Sequence, residues 1–187
     1  MQTLGISDST PASESRVKTL FWPSIQNGTD VDYLGTQGFW VCVIVAGITF
    51  VVSAFTGHWI GGVFVLVLYY LGGVGVREGS RYAAAVVFVF YILDMFASRV
   101  GVLKVFIAAI LLSNLRATWI ASGWTPGSEE ASLPPRMGET WSDKFADQWP
   151  PRIWPKLKIF YYIYSVCFLV LVCVGLAMIW SRQGRLP

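Results

Sequence analysis

The hydrophobic positions fall into long stretches from which charge is missing. Residues 33 to 76 contain no Asp, Glu, Lys or Arg, and residues 159 to 181 form a second such run. A hydrocarbon core about 30 Å thick needs about 20 apolar residues of helix to cross it. The second run therefore fits one crossing and the first fits two. Thr56, Gly57 and His58 interrupt the first run, which predicts a tight antiparallel hairpin of spans 38–56 and 59–76. Arg77, Glu78, Gly79, Ser80 and Arg81 come next as a short charged loop, with a glycine suited to a helix end.

Residues 82 to 121 read as two further spans, 82–98 and 101–121, divided at Ser98, Arg99, Val100 and Gly101. Asp94 lies near the end of the first. Lys104 comes early and Arg116 late in the second, so their stems reach opposite interfaces. A re-entrant hairpin over 82–121 is the alternative, and it leaves the sidedness of residues 122–157 unchanged.

Residues 122–157 are rich in Trp, Pro and charge. Thr140, Trp141, Ser142 and Asp143 resemble a helix-capping box. Trp141, Phe145 and Trp149 then share one helical face. Pro150 and Pro151 are expected to end that helix. The expectation is a short amphipathic helix at the membrane interface, then a fifth span at 158–181 and a basic tail at 182–187. Residues 1–37 read as a disordered tail plus an arm at 16–25, where Arg16 and Lys18 stand beside Leu20, Phe21 and Trp22. The fold class is all-α: a polytopic transmembrane helix bundle of about five spans with a Trp/Pro-rich cytoplasmic loop carrying a short interfacial helix.

Composition agrees with this pattern. Hydrophobic residues make up 55% of the 187 residues and charged residues 13%, about half the charge of an ordinary soluble domain. A soluble chain of this size buries only about 70% of its unfolded surface, too little to hide helices this apolar. The formal net charge of +3 is modest and gives no nucleic-acid footprint. Asp8, Glu14, Asp30 and Asp32 fall where a cleavable signal would carry its apolar core.

Charge placement orients the bundle. Five spans with a cytoplasmic N-terminus put Arg16, Lys18, Arg77, Arg81, Arg116, Arg136, Lys144, Arg152, Lys156 and Lys158 inside. Only Arg99, Lys104, Arg182 and Arg185 lie outside, a positive-inside bias. A single crossing over 82–121 would abolish that bias and bury Arg99 and Lys104 in mid-span. Central basic residues cost about 2.5–3.5 kcal/mol each on insertion scales. The expected location is a plasma or bacterial inner membrane, with the C-terminus on the side opposite the cytoplasm.

Candidate chemistry is sparse. Asp94, Lys104, Asn114 and Arg116 are the groups able to form an intramembrane polar site. Asp94 is equally suited to an ion pair with Arg99 or Lys104. Ala109, Ser113, Ala117 and Ala121 repeat every four residues and let another helix approach closely. That helix could belong to this chain, to a second copy or to another membrane protein. His58 is the sole histidine, and Cys42, Cys167 and Cys173 form no CxxC pair, so no metal or cofactor is expected. No GxSxG, P-loop or GxGxxG motif is present. The favoured function class is a non-catalytic accessory, scaffold or interaction subunit. A small transporter or channel acting as an oligomer comes second. A membrane enzyme using Glu129, Glu130, Glu139, Asp143 and Asp147 of the loop comes third.

Overall fold

The computed structural model describes residues 25, 28–97, 101–123 and 141–183. These residues form five helices: α1 (Gly28–Phe55), α2 (Trp59–Arg77), α3 (Arg81–Ala97), α4 (Val102–Ala121) and α5 (Trp141–Gln183). The described part of the chain is all-helical. Four stretches are long and apolar enough to cross a membrane: Val31–Phe55, Trp59–Arg77, Val102–Ala121 and Gln148–Gly175. At 17 residues α3 is the shortest helix, about 26 Å at 1.5 Å per residue.

Two glycine caps close the first turns of the bundle. Gly57 (φ 79°) and Gly79 (φ 67°) adopt the left-handed conformation after α1 and α2. At the first, His58 N donates to Ser53 O at 2.8 Å and Gly57 N to Ala54 O at 3.2 Å. At the second, Ser80 N donates to Gly75 O at 2.9 Å and Gly79 N to Val76 O at 3.0 Å. These bonds satisfy carbonyls that a helix end leaves open. They also set the tight α1–α2 and α2–α3 reversals.

The helices alternate in direction. Asp32 of α1 meets Arg77 of α2 at one end, where Arg81 of α3 reaches Ser122 beyond α4. Asp94 of α3 meets Lys104 of α4 at the other end. Helices α1 to α4 pack in sequence and close into a ring, because α4 also packs on α1. Helix α5 lies outside this ring against α2, with Tyr82 of α3 hydrogen-bonded to its Ser165 at 2.8 Å.

Helix α2 is the hub, and its glycines explain how. A Cβ at Gly73 would lie 2.8 Å from Cys42 Cβ of α1. One at Gly72 would lie 2.4 Å from Val87 of α3 and 2.7 Å from the Tyr161 hydroxyl of α5. One at Gly75 would lie 2.4 Å from the Trp154 ring of α5 and 2.5 Å from Ala83 Cβ of α3. Three helices thus reach the α2 backbone within one turn, a close approach only small residues permit. Phe39, Leu68, Val74, Val87 and Tyr161 fill the core around this node.

The outer surface is apolar. Ile44, Ile48, Val52 and Phe55 of α1 and Ile163, Val170, Leu171 and Met178 of α5 are exposed. Soluble monomers rarely expose contiguous apolar patches beyond a few hundred Å². Faces such as these match a lipid solvent.

Two expectations are corrected. Helix α1 begins at Gly28, so residues 28–37 belong to a helix and not to a disordered tail or arm. Its early Asp30 and Asp32 carry the charge that a helix N-terminus favours. The helix beginning at Trp141 also continues through Pro150, Pro151 and Pro155 into the last apolar stretch, as one helix of 43 residues. Each interior proline costs about 3 kcal/mol through its lost N–H and ring clash. Burial of Pro150 and Trp154 in the bundle offsets that cost. Arg99, Glu129, Glu130, Glu139 and residues 124–140 of the loop expected in the cytoplasm lie outside the described residues, as do the side chains of Trp141, Asp143 and Asp147.

Candidate functional site

The polar groups expected within the spans do not converge. Lys104 Nζ donates to Asp94 Oδ2 at 3.0 Å, with the two side chains 31% and 60% exposed. This pair joins the end of α3 to the start of α4. Asn114 is further along α4, about 15 Å from Lys104 by helix rise, and Arg116 about 18 Å away. The structure therefore brings Asp94 and Lys104 together and keeps both apart from Asn114 and Arg116.

Asn114 is buried where α4 meets α1. Its Nδ2 donates to Ile110 O at 2.9 Å. Its Oδ1 lies 2.7 Å from where a Cβ on Gly38 would stand. The small-residue stripe serves the same contact: Ser113 and Ala117 are buried within the chain, and Ala109 and Ala121 are half-buried. Gln37 Oε1, Ser113 Oγ and Asn114 Oδ1 are buried without a hydrogen-bond partner among the described residues. An unsatisfied buried group costs about 1–3 kcal/mol, so this polar layer is maintained against its own desolvation by the packing around it.

Sequence reasoning missed the ion pair at the opposite end from Asp94. Arg77 Nη1 donates to Asp32 Oδ1 at 2.5 Å, with side chains 13% and 21% exposed. Its signal was present: Asp32 is the last charge before the uncharged run and Arg77 the first after it. Two antiparallel spans bring such flanking charges to the same end. Beside this pair, partial burial pushes the Glu78 carboxyl above its ordinary range, and the Arg77 guanidinium opposes that shift.

Phe145 packs on α1, its ring centroid 6.2 Å from both Phe39 and Trp40. Trp149 is half-exposed, its ring centroid 5.5 Å from that of Phe145 and tilted 34° to it. The exposed His58 sits at the α1–α2 turn. Cys42 is buried, whereas Cys167 and Cys173 are exposed, and all three are free thiols.

The feature that sequence could not show is a cleft of about 220 Å³ built by α1, α2, α3 and α5. Thr49, Tyr69, Tyr91 and Asp94 are its polar members, and Phe90, Phe168 and Val172 are among its apolar ones. Asp94 and Ala97 are exposed and mark the mouth, while Tyr69 and Leu68 are buried at the floor. Among the described residues, no group of three or more His, Cys, Asp or Glu side chains is placed to hold a metal ion. Comparison with known protein families, characterised proteins and solved structures returned no match.

Proposed function

We propose that the chain is a five-span membrane protein with a cytoplasmic N-terminus, acting without catalysis as an accessory, scaffold or interaction subunit. One observation carries the reading: the polar side chains within the spans lie at contacts between helices and do not converge on one site. Asp94 ties α3 to Lys104 of α4, and Asn114 sits against Gly38 at the α1–α4 contact. The faces left outward are apolar, suited to lipid or to another membrane protein.

The cleft favours a second reading, a small transporter working as an oligomer, because an acid at the mouth of a cavity can select a solute. Reconstitution of the purified chain into vesicles separates the two. The accessory reading expects no proton, ion or amine flux above that of empty vesicles. It also expects Asp94→Asn to fold normally, with about 0–1 kcal/mol of stability lost, as for an exposed pair. A flux that Asp94→Asn abolishes in a fully folded protein would replace the accessory reading with the transporter.

A further inference from the structure

We infer that the cleft is a lipid site, occupied by one acyl chain of a zwitterionic phospholipid bearing a primary ammonium. The inference rests on the chain residing in a bilayer, and goes beyond the accessory role. Its first support is shape. At about 220 Å³ the cleft exceeds the roughly 150 Å³ of an apolar cavity that admits benzene. It falls below the roughly 300–1,000 Å³ of pockets for drug-sized ligands. A single flexible hydrocarbon chain suits that range.

Its second support is depth. Asp94 is three residues from the end of α3, and Lys104 is the third residue of α4. From this rim the lining runs inward to Val65 of α2 and Val45 of α1. Val45 is ten residues from the end of α1, about 15 Å by helix rise. The polar rim thus stands at a helix end and the apolar lining extends toward mid-bundle. A phospholipid is polarised the same way along its length.

Charge complementarity selects the headgroup. Asp94 lines the rim, and the ammonium of Lys104 stands 3.0 Å from it, beside the cleft and not in its lining. A purely anionic head would confront Asp94, and a purely cationic one would confront Lys104. A zwitterion places its ammonium on Asp94 and its phosphate on Lys104, sharing the pair instead of opposing it. A primary ammonium donates hydrogen bonds to a carboxylate, and a quaternary one has none to donate. Inside the cleft, Thr49, Tyr69 and Tyr91 add hydroxyls to an otherwise apolar lining.

The test uses the full chain in vesicles of phosphatidylcholine. Three matched probes each carry a photoactivatable diazirine in one acyl chain, with ethanolamine, choline or glycerol as headgroup. After irradiation, labelled positions are mapped by peptide mass spectrometry. The ethanolamine probe should label Val65, Phe168 and Val172 about tenfold more than either other probe, the ratio expected of one charge-assisted hydrogen bond. Asp94→Asn should lower ethanolamine labelling there to the choline level. Val172→Trp should fill the cleft and remove its labelling by all three probes, while Ile163 and Val170 on the outer face remain labelled. Equal cleft labelling by the three headgroups, or an unlabelled cleft beside labelled outer faces, would overturn the lipid site and leave the membrane reading intact. Outer faces that no probe labels would overturn the membrane reading itself.

Discussion

Gly75→Val should destabilise the protein by about 2–3 kcal/mol, at the upper end of overpacking penalties. A Cβ there already meets the Trp154 ring at 2.4 Å and Ala83 Cβ at 2.5 Å, and valine adds two methyl groups beyond it. The strain has no easy outlet. Trp154 is pinned by Tyr161, their ring centroids 5.7 Å apart. Ala83 is completely buried on α3. Both α3 and α5 would have to withdraw from α2. Gly61 lies on the same helix with nothing within 4 Å of its would-be Cβ, so Gly61→Val should change stability by less than about 0.5 kcal/mol, as for an ordinary surface site. Thermal unfolding of both variants in one detergent checks the contrast. A similar loss at the two positions would mean that the glycine node does not hold the bundle together.

The second large effect is expected at the other closed contact. Arg77→Ala leaves the Asp32 carboxylate, 21% exposed, in a site built around a guanidinium. Removing one partner of a fully buried pair costs about 3–5 kcal/mol. Partial exposure here reduces that to about 2 kcal/mol, since water reaches one side of the pair. The double variant Asp32→Asn/Arg77→Met removes both charges of the pair and should lose less than Arg77→Ala alone. Unfolding free energies of the unsubstituted protein, Asp32→Asn, Arg77→Met and the double variant complete a cycle that measures the coupling. Additive losses would show that the two groups do not depend on each other.

Much of this architecture was legible in the residue pattern, for identifiable reasons. The break at Thr56, Gly57 and His58 and the charged loop at Arg77 to Arg81 coincide with the two helix reversals, because glycine and charge both terminate an apolar helix. The start of α1 was not legible. Asp30 and Asp32 look like tail residues until Arg77 is seen beside Asp32. The prolines of α5 misled for a related reason. Local rules make Pro150 a helix end, yet Pro150 and Trp154 are buried against the bundle, and packing energy overrides propensity.

The candidate site was less legible than the fold. Asp94 stood out as the one carboxylate in an apolar stretch, and its pairing with Lys104 across the turn is a consequence of helix order. Tyr69, Thr49 and Val172 did not stand out. They come from three different helices, and no spacing rule links residues so far apart in sequence. The stripe of Ala109, Ser113, Ala117 and Ala121 announced a helix contact without naming its partner. The buried Ser113 and Ala117 assign at least part of it to contacts within the chain.

The five-span proposal turns on α3. Four stretches satisfy both length and apolarity for a crossing, whereas α3 has 17 residues, at the lower limit of about 17–25 for a bilayer. If α3 alone failed to cross, the count would be four and the C-terminus would return to the cytoplasm. The packing of α3 between α2 and α4, with Arg81 at one end and Asp94 near the other, argues that it crosses with them. The decisive measurement fuses two reporters in turn after Pro187 of the full chain, one active only in the cytoplasm and one active only outside it. Five crossings predict a silent cytoplasmic reporter and an active external one. An active cytoplasmic reporter paired with a silent external one would contradict the five-span account.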